Sequence, residues 1–260
     1  MAGKIKNIAI DRKGQVAIFV IVAIVMIAGV ILFFIIRKNP VISRGQDIEN
    51  PESFIDNCIR EKSGNILDEM LSHGGFISPN DTVLYKGIKV VYLCKNLNYY
   101  KPCITQYPLY LHTLEKELDS HITEGVGLCF ASLDQELTRR GYVVNGGTLK
   151  LGVTFKPGSV EIITDREMNI VKDGFTRTFN HFDTYLTHPV FELASTVQEI
   201  VSQEAKWCYF SNDGFMALYH DFDIKKDVLG DSTRIYSVTH KPTGKLITFA
   251  IRGCAIPAGF

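Results

Sequence analysis

From Val16 to Ile36 the sequence contains no charged residue, no amide and no proline. That absence excludes an ordinary surface helix, which pairs an apolar stripe with a polar face. The run also outlasts the roughly 7–15 apolar residues of a cleaved secretory signal. At about 1.5 Å per helical residue it matches the ~30 Å hydrocarbon core of a bilayer. It therefore predicts a single transmembrane helix over residues 15–38. Cysteine is missing before position 58, and all six (Cys58, Cys94, Cys103, Cys129, Cys208 and Cys254) follow the apolar run. An even set confined to one side points to an oxidising compartment, hence disulfides outside the cell.

A basic run is missing as well. Lys/Arg and Asp/Glu each number 28, and removing the six Lys/Arg and one Asp of residues 1–38 leaves 22 basic and 27 acidic residues. A duplex binder needs a cationic face to displace condensed counterions, so no nucleic-acid partner is expected. The chain has no GxSxG elbow, HExxH helix, phosphate loop or dinucleotide fingerprint. Those absences remove the familiar grounds for a hydrolase, a zinc protease or a nucleotide enzyme. A cysteine nucleophile needs a reactive thiolate, and six cysteines that can all pair leave none evidently free. No catalytic residue, metal or cofactor is assigned.

Flanking charge gives the apolar run little direction, because Lys4, Lys6, Arg12 and Lys13 precede it while Arg37, Lys38 and Arg44 follow. The cysteines supply the orientation. Residues 1–14 read as a basic cytoplasmic leader, 39–50 as a linker containing Pro, Gly and Ser, and 51–260 as an extracytoplasmic domain.

The residues Lys13, Gly14 and Gln15, placed just before the apolar run, resemble the class III signal peptides of archaeal type IV pilin-like proteins. The resemblance implies processing between Gly14 and Gln15, with the helix kept on the mature chain. Filament-forming pilins typically carry a glutamate five positions into the mature chain; here that position is Phe19. Together with "YLC", "YYKPC", "RRGY" and "FAIRG", the arrangement looks like a family of uncharacterised archaeal single-pass surface proteins, which supplies no activity.

The domain reads as α+β, with long amphipathic helices packed on antiparallel sheet. Asn50 and Pro51 open a helix through Leu71, closed by Gly74-Gly75. Leu111, Leu114, Leu118, Ile122, Val126, Cys129, Leu133 and Leu137 recur at helical spacing and predict a helix from about Pro108 to Arg140. A third helix runs from Pro189 to about Lys206. Turn residues punctuate strands between Tyr142 and His188, and strands are expected again over residues 215–252. The short spacing suits a Cys94–Cys103 loop. Cys58 and Cys129 lie on the apolar stripes of two helices that can pack together, which leaves Cys208 with Cys254.

Three surfaces invite attention. Tyr92, Tyr99, Tyr100, Tyr107 and Tyr110 surround the short disulfide loop and could offer rigid rings to a partner, Tyr99, Tyr100 and Tyr107 above all. His181 and Asp183 share a strand face, with His220, Asp221 and Asp223 later in the chain, so an ion site competes with the commoner reading of polar residues on an exposed face. Asn80-Asp81-Thr82 is a glycosylation sequon. The reading reached is a membrane-anchored cell-surface structural or interaction protein for envelope assembly or adhesion. The alternative is a tethered metal-binding module or hydrolase. Expected partners are the lipid bilayer and either copies of the same chain or other surface proteins.

Overall fold

A computed structural model describes residues 21–27, 29, 50–98 and 100–254. Contacts divide the chain into two units, Met1–Gln46 and Asp47–Phe260. In the first, residues 21–27 are helical, a length of about 10 Å. Among the described residues no helix is long and apolar enough to cross a membrane. The transmembrane helix in the fold class expected from the sequence is corrected on this point, since the described residues contain no helix of that length and apolarity. Residues 15–20 and 30–38, the leader with Gly14 and Gln15, and the linker up to residue 49 lie outside the described residues.

The second unit begins with helix α1 (Pro51–Ser72). The Asn50 side chain accepts hydrogen bonds from the N–H groups of Glu52 at 3.1 Å and Ser53 at 3.4 Å, and proline occupies the first turn. Ile55, Ile59, Leu67, Met70 and Leu71 form its buried side. The helix ends where Gly74 and Gly75 adopt positive φ. A Cβ on Gly74 would stand 2.5 Å from Val91 Cγ1 and 3.0 Å from the Thr248 carbonyl oxygen, so only glycine lets the chain pass this close to the sheet.

Strands β1 (Thr82–Tyr85) and β2 (Ile88–Lys95) form a hairpin, and β3 (Ile104–Thr105) follows. Helix α2 (Tyr110–Arg139) runs unbroken through Gly125 and Gly127 and buries Leu114, Leu118, Ile122, Val126, Cys129, Leu133 and Leu137. Next come β4 (Val143–Gly146), β5 (Lys150–Lys156), β6 (Ser159–Lys172) and β7 (Phe175–Thr187). Helix α3 (Val190–Trp207) and the short α4 (Asn212–Leu218) precede β8 (Phe222–Val228), β9 (Arg234–His240) and β10 (Lys245–Arg252). The strands expected from residue 215 onward therefore begin only at Phe222, since residues 212–218 are helical.

The first sheet has the order β1-β2-β10-β9-β8, with β3 also paired to β2. Its β2–β10 pair is parallel, so the sheet is mixed where an antiparallel one was expected. A parallel pair requires a long crossover, and here everything from β3 to β9 supplies it. In the second sheet β4, β5 and β7 all pair antiparallel with the long β6. A bulge between Asp165 and Met168 interrupts the β6–β7 register. Beside it, Arg166 reaches Asp134 of α2 at 2.7 Å and lies 4.9 Å from the Phe130 ring centre.

Helix α1 touches β7 and β10, α2 touches β4 and β5, and α3 touches strands of both sheets. Both sheets therefore share one apolar core with the helices. Three disulfides reinforce it. Cys58–Cys129 joins α1 to α2, Cys94–Cys103 closes the loop between β2 and β3, and Cys208–Cys254 ties the end of α3 to the residues after β10.

Candidate functional site

The fold divides the tyrosines that the sequence groups together. Tyr92 and Tyr110 are buried. The Tyr110 hydroxyl donates to the Gly74 carbonyl at 2.8 Å, and burial pushes it above the ordinary phenol range. Tyr107 is half-buried, its ring 4.6 Å from that of Phe76, beside a cleft of about 200 Å³ shared with Leu93 and Tyr110. Tyr100 stands on the surface, and Tyr99 lies outside the described residues.

The histidine and aspartate set is likewise partly assembled. Register places Asp165 of β6 opposite His181 of β7, and Asp183 lies two residues along the same strand. His181 Nδ1 bonds to Asp165, while Nε2 is 3.3 Å from Asp183 Oδ1. Each ring nitrogen thus faces a different carboxylate. Among the described residues no group of three or more His, Cys, Asp or Glu side chains is arranged to hold a metal ion. No described cleft is lined by His181, Asp183 and His220 together.

A groove of about 700 Å³ runs between α3 and α4. Ser211 caps α4 by accepting from the Gly214 N–H at 3.3 Å. The Phe215 ring lies 4.5 Å from Tyr219, 5.5 Å from Phe210 and 6.1 Å from Phe222, so aromatic faces make up the groove's α4 side. Phe210 is buried, whereas Leu218 is 78% exposed and Tyr219 is also open to solvent. On the α3 side stand Phe191, Ser195, Glu192 and Glu199. Glu192 Oε1 accepts from the Gly158 N–H at 2.6 Å, and its Oε2 has no partner among the described residues. The lining includes two carboxylates and neither lysine nor arginine.

Strands expected from residue 215 onward would leave no such groove, which exists because residues 212–218 are helical. A signal was present: Ser211 at a capping position, followed by "FMALY", suits a short helix better than a strand.

Beneath the groove, α3 is fastened to the first sheet by a buried charge. Glu204 is fully buried. It accepts from Arg234 Nη1 at 2.5 Å and from the Tyr236 hydroxyl. Burial, and then the bond to Glu204, raise the Tyr236 hydroxyl above its ordinary range. This network fixes the rotation of α3 and so the face it turns to α4.

At the other end of α3, His188 is buried with Nε2 3.4 Å from Asp68, while Nδ1 has no partner among the described residues. Burial lowers the imidazole below its ordinary value, against the opposing pull of Asp68. Burial also raises the Asp68 carboxyl, but hydrogen bonds from Lys245 and His188 outweigh it and leave that group below its ordinary range. Both groups therefore bind protons more readily in the unfolded chain. Stability is expected to hold above about pH 6.5, to fall as His188 titrates, and to fall again below about pH 4 as Asp68 does. Thermal melts across this range check it. His188→Gln should flatten the upper part of the profile, and a parallel profile in the variant would refute the assignment.

No family model, curated protein or solved structure matches the chain.

Proposed function

We propose that the chain is a membrane-held, extracytoplasmic structural or interaction protein that receives a partner segment in the groove between α3 and α4. The single observation that carries the docking role is an open aromatic cleft whose charged lining is entirely acidic. Its complement is a protein segment with apolar side chains flanked by lysine or arginine, the helix-in-groove mode of recognition. Three disulfides support placement in an oxidising compartment. Attachment to lipid is supported by the uncharged run and by residues 21–27, where Ile21, Val22, Ile24, Val25, Met26 and Ile27 are each more than half exposed. A helical stretch that is apolar on every side requires a non-aqueous neighbour.

The test places a photo-crosslinking amino acid at Ser195, an exposed position lining the groove, with Lys150 on β5 as the control. Irradiation of native membranes is expected to give one discrete adduct from position 195 and none from 150. The crosslinked peptide should carry apolar residues with lysine or arginine beside them. Identical adduct patterns from both positions, or an acidic crosslinked peptide, would overturn the docking role.

A further inference from the structure

At one end of the second sheet the β6–β7 hairpin turns through Asp173 and Gly174, both at positive φ, the arrangement of a tight two-residue hairpin turn. The turn sets Lys172 opposite Phe175 in the register. Phe175 is 81% exposed, second only to Leu97 among the described large apolar side chains. Arg177 lies two residues along the strand and so shares the face of Phe175. All three line a recess of about 540 Å³ that also includes Tyr142 and Pro51.

Three features fit one occupant. The side chains at the tip combine an exposed aromatic ring with cations, which is the pairing found at membrane–water interfaces. The Lys172 ammonium is 4.4 Å from the Tyr142 ring centre and donates to the Arg140 carbonyl, and Arg177 has no ion-pair partner among the described residues. The charged lining is Lys172, Arg177 and Asp173, so the recess itself is net cationic although the domain beyond residue 38 is net acidic. Finally, the recess reaches Pro51, the first residue of α1.

We infer that the β6–β7 tip is a lipid-contact surface, with Phe175 seated at the headgroup boundary and Lys172 and Arg177 facing anionic phospholipid. This rests on the membrane-held reading above and adds the orientation of the domain to it. Such contact would leave the α3–α4 groove to meet other proteins.

The experiment uses the full chain, whose one tryptophan, Trp207, lines no part of the recess. A Trp207→Phe, Phe175→Trp variant moves the fluorophore to the tip, and the exposure of Phe175 makes the exchange tolerable to the fold. The protein is reconstituted in vesicles of phosphatidylcholine, with and without phosphatidylglycerol, carrying brominated acyl chains as quencher.

The tryptophan at 175 is expected to be quenched when phosphatidylglycerol is present. Adding Lys172→Glu and Arg177→Glu should remove that quenching, since each surface cation is worth about fivefold in affinity for an anionic membrane. A chain that floats with the vesicles while position 175 stays unquenched would overturn the lipid contact and leave attachment standing. Shielding of that tryptophan from aqueous iodide without quenching by lipid would also overturn it, and would place protein on the tip instead. A chain that fails to float would overturn attachment itself.

Discussion

Glu204→Ala is expected to destabilise the domain by about 3–5 kcal/mol, the range seen when one partner of a buried ion pair is removed. The size follows from what remains behind. Arg234 would keep its charge against the core, and the Tyr236 hydroxyl would lose its acceptor in a site where Tyr236 and Glu204 are both fully buried. Glu204→Gln retains an oxygen for Tyr236 and should cost less. Urea denaturation followed by circular dichroism measures both, and a double-mutant cycle with Tyr236→Phe isolates the coupling. A loss below about 1 kcal/mol for Glu204→Ala would be no larger than an average point mutation and would refute the anchoring role.

The second large effect belongs to the bridge between the two long helices. Cys58–Cys129 spans a sequence separation of 71, and constraining a loop of that length in the unfolded chain is worth about 4 kcal/mol. The Cys94–Cys103 loop, with a separation of 9, is worth about 2–3 kcal/mol by the same relation. Replacing both cysteines of each pair by alanine should therefore rank the two losses in that order under non-reducing conditions. The reverse order, or no loss from the longer bridge, would show that α1 and α2 are held by apolar packing alone.

Much of this architecture was readable because its signals are local. The Leu114–Leu137 stripe marks α2 through a spacing that any helix imposes. Asn50 and Pro51 mark the start of α1 through groups that a helix terminus leaves unpaired. Cys58 and Cys129 were matched because each lies in such a stripe. Less local features were misread or missed. The strand pattern expected from residue 215 runs through α4, whose apolar residues, Phe215, Met216, Ala217 and Leu218, form an unbroken run too short for periodicity alone to separate helix from strand. The tyrosines near the short disulfide look alike in sequence, yet Tyr110 is buried against Gly74 and Tyr100 is exposed. The apolar N-terminal run alone predicts a transmembrane helix, whereas no helix among the described residues is long and apolar enough to cross a bilayer.

The sequence by itself determined the α+β composition, the helix stripes, the hairpin turns and the supply of cysteines for three bridges, because each depends on neighbours within a few residues. Tertiary structure alone decided the parallel β2–β10 pair, the meeting of Glu204 with Arg234 and Tyr236, the groove between α3 and α4, and the recess at the β6–β7 tip. These join residues far apart in the chain. Which of them meet is set by how helices and sheets bury their apolar faces together, and no local periodicity records that.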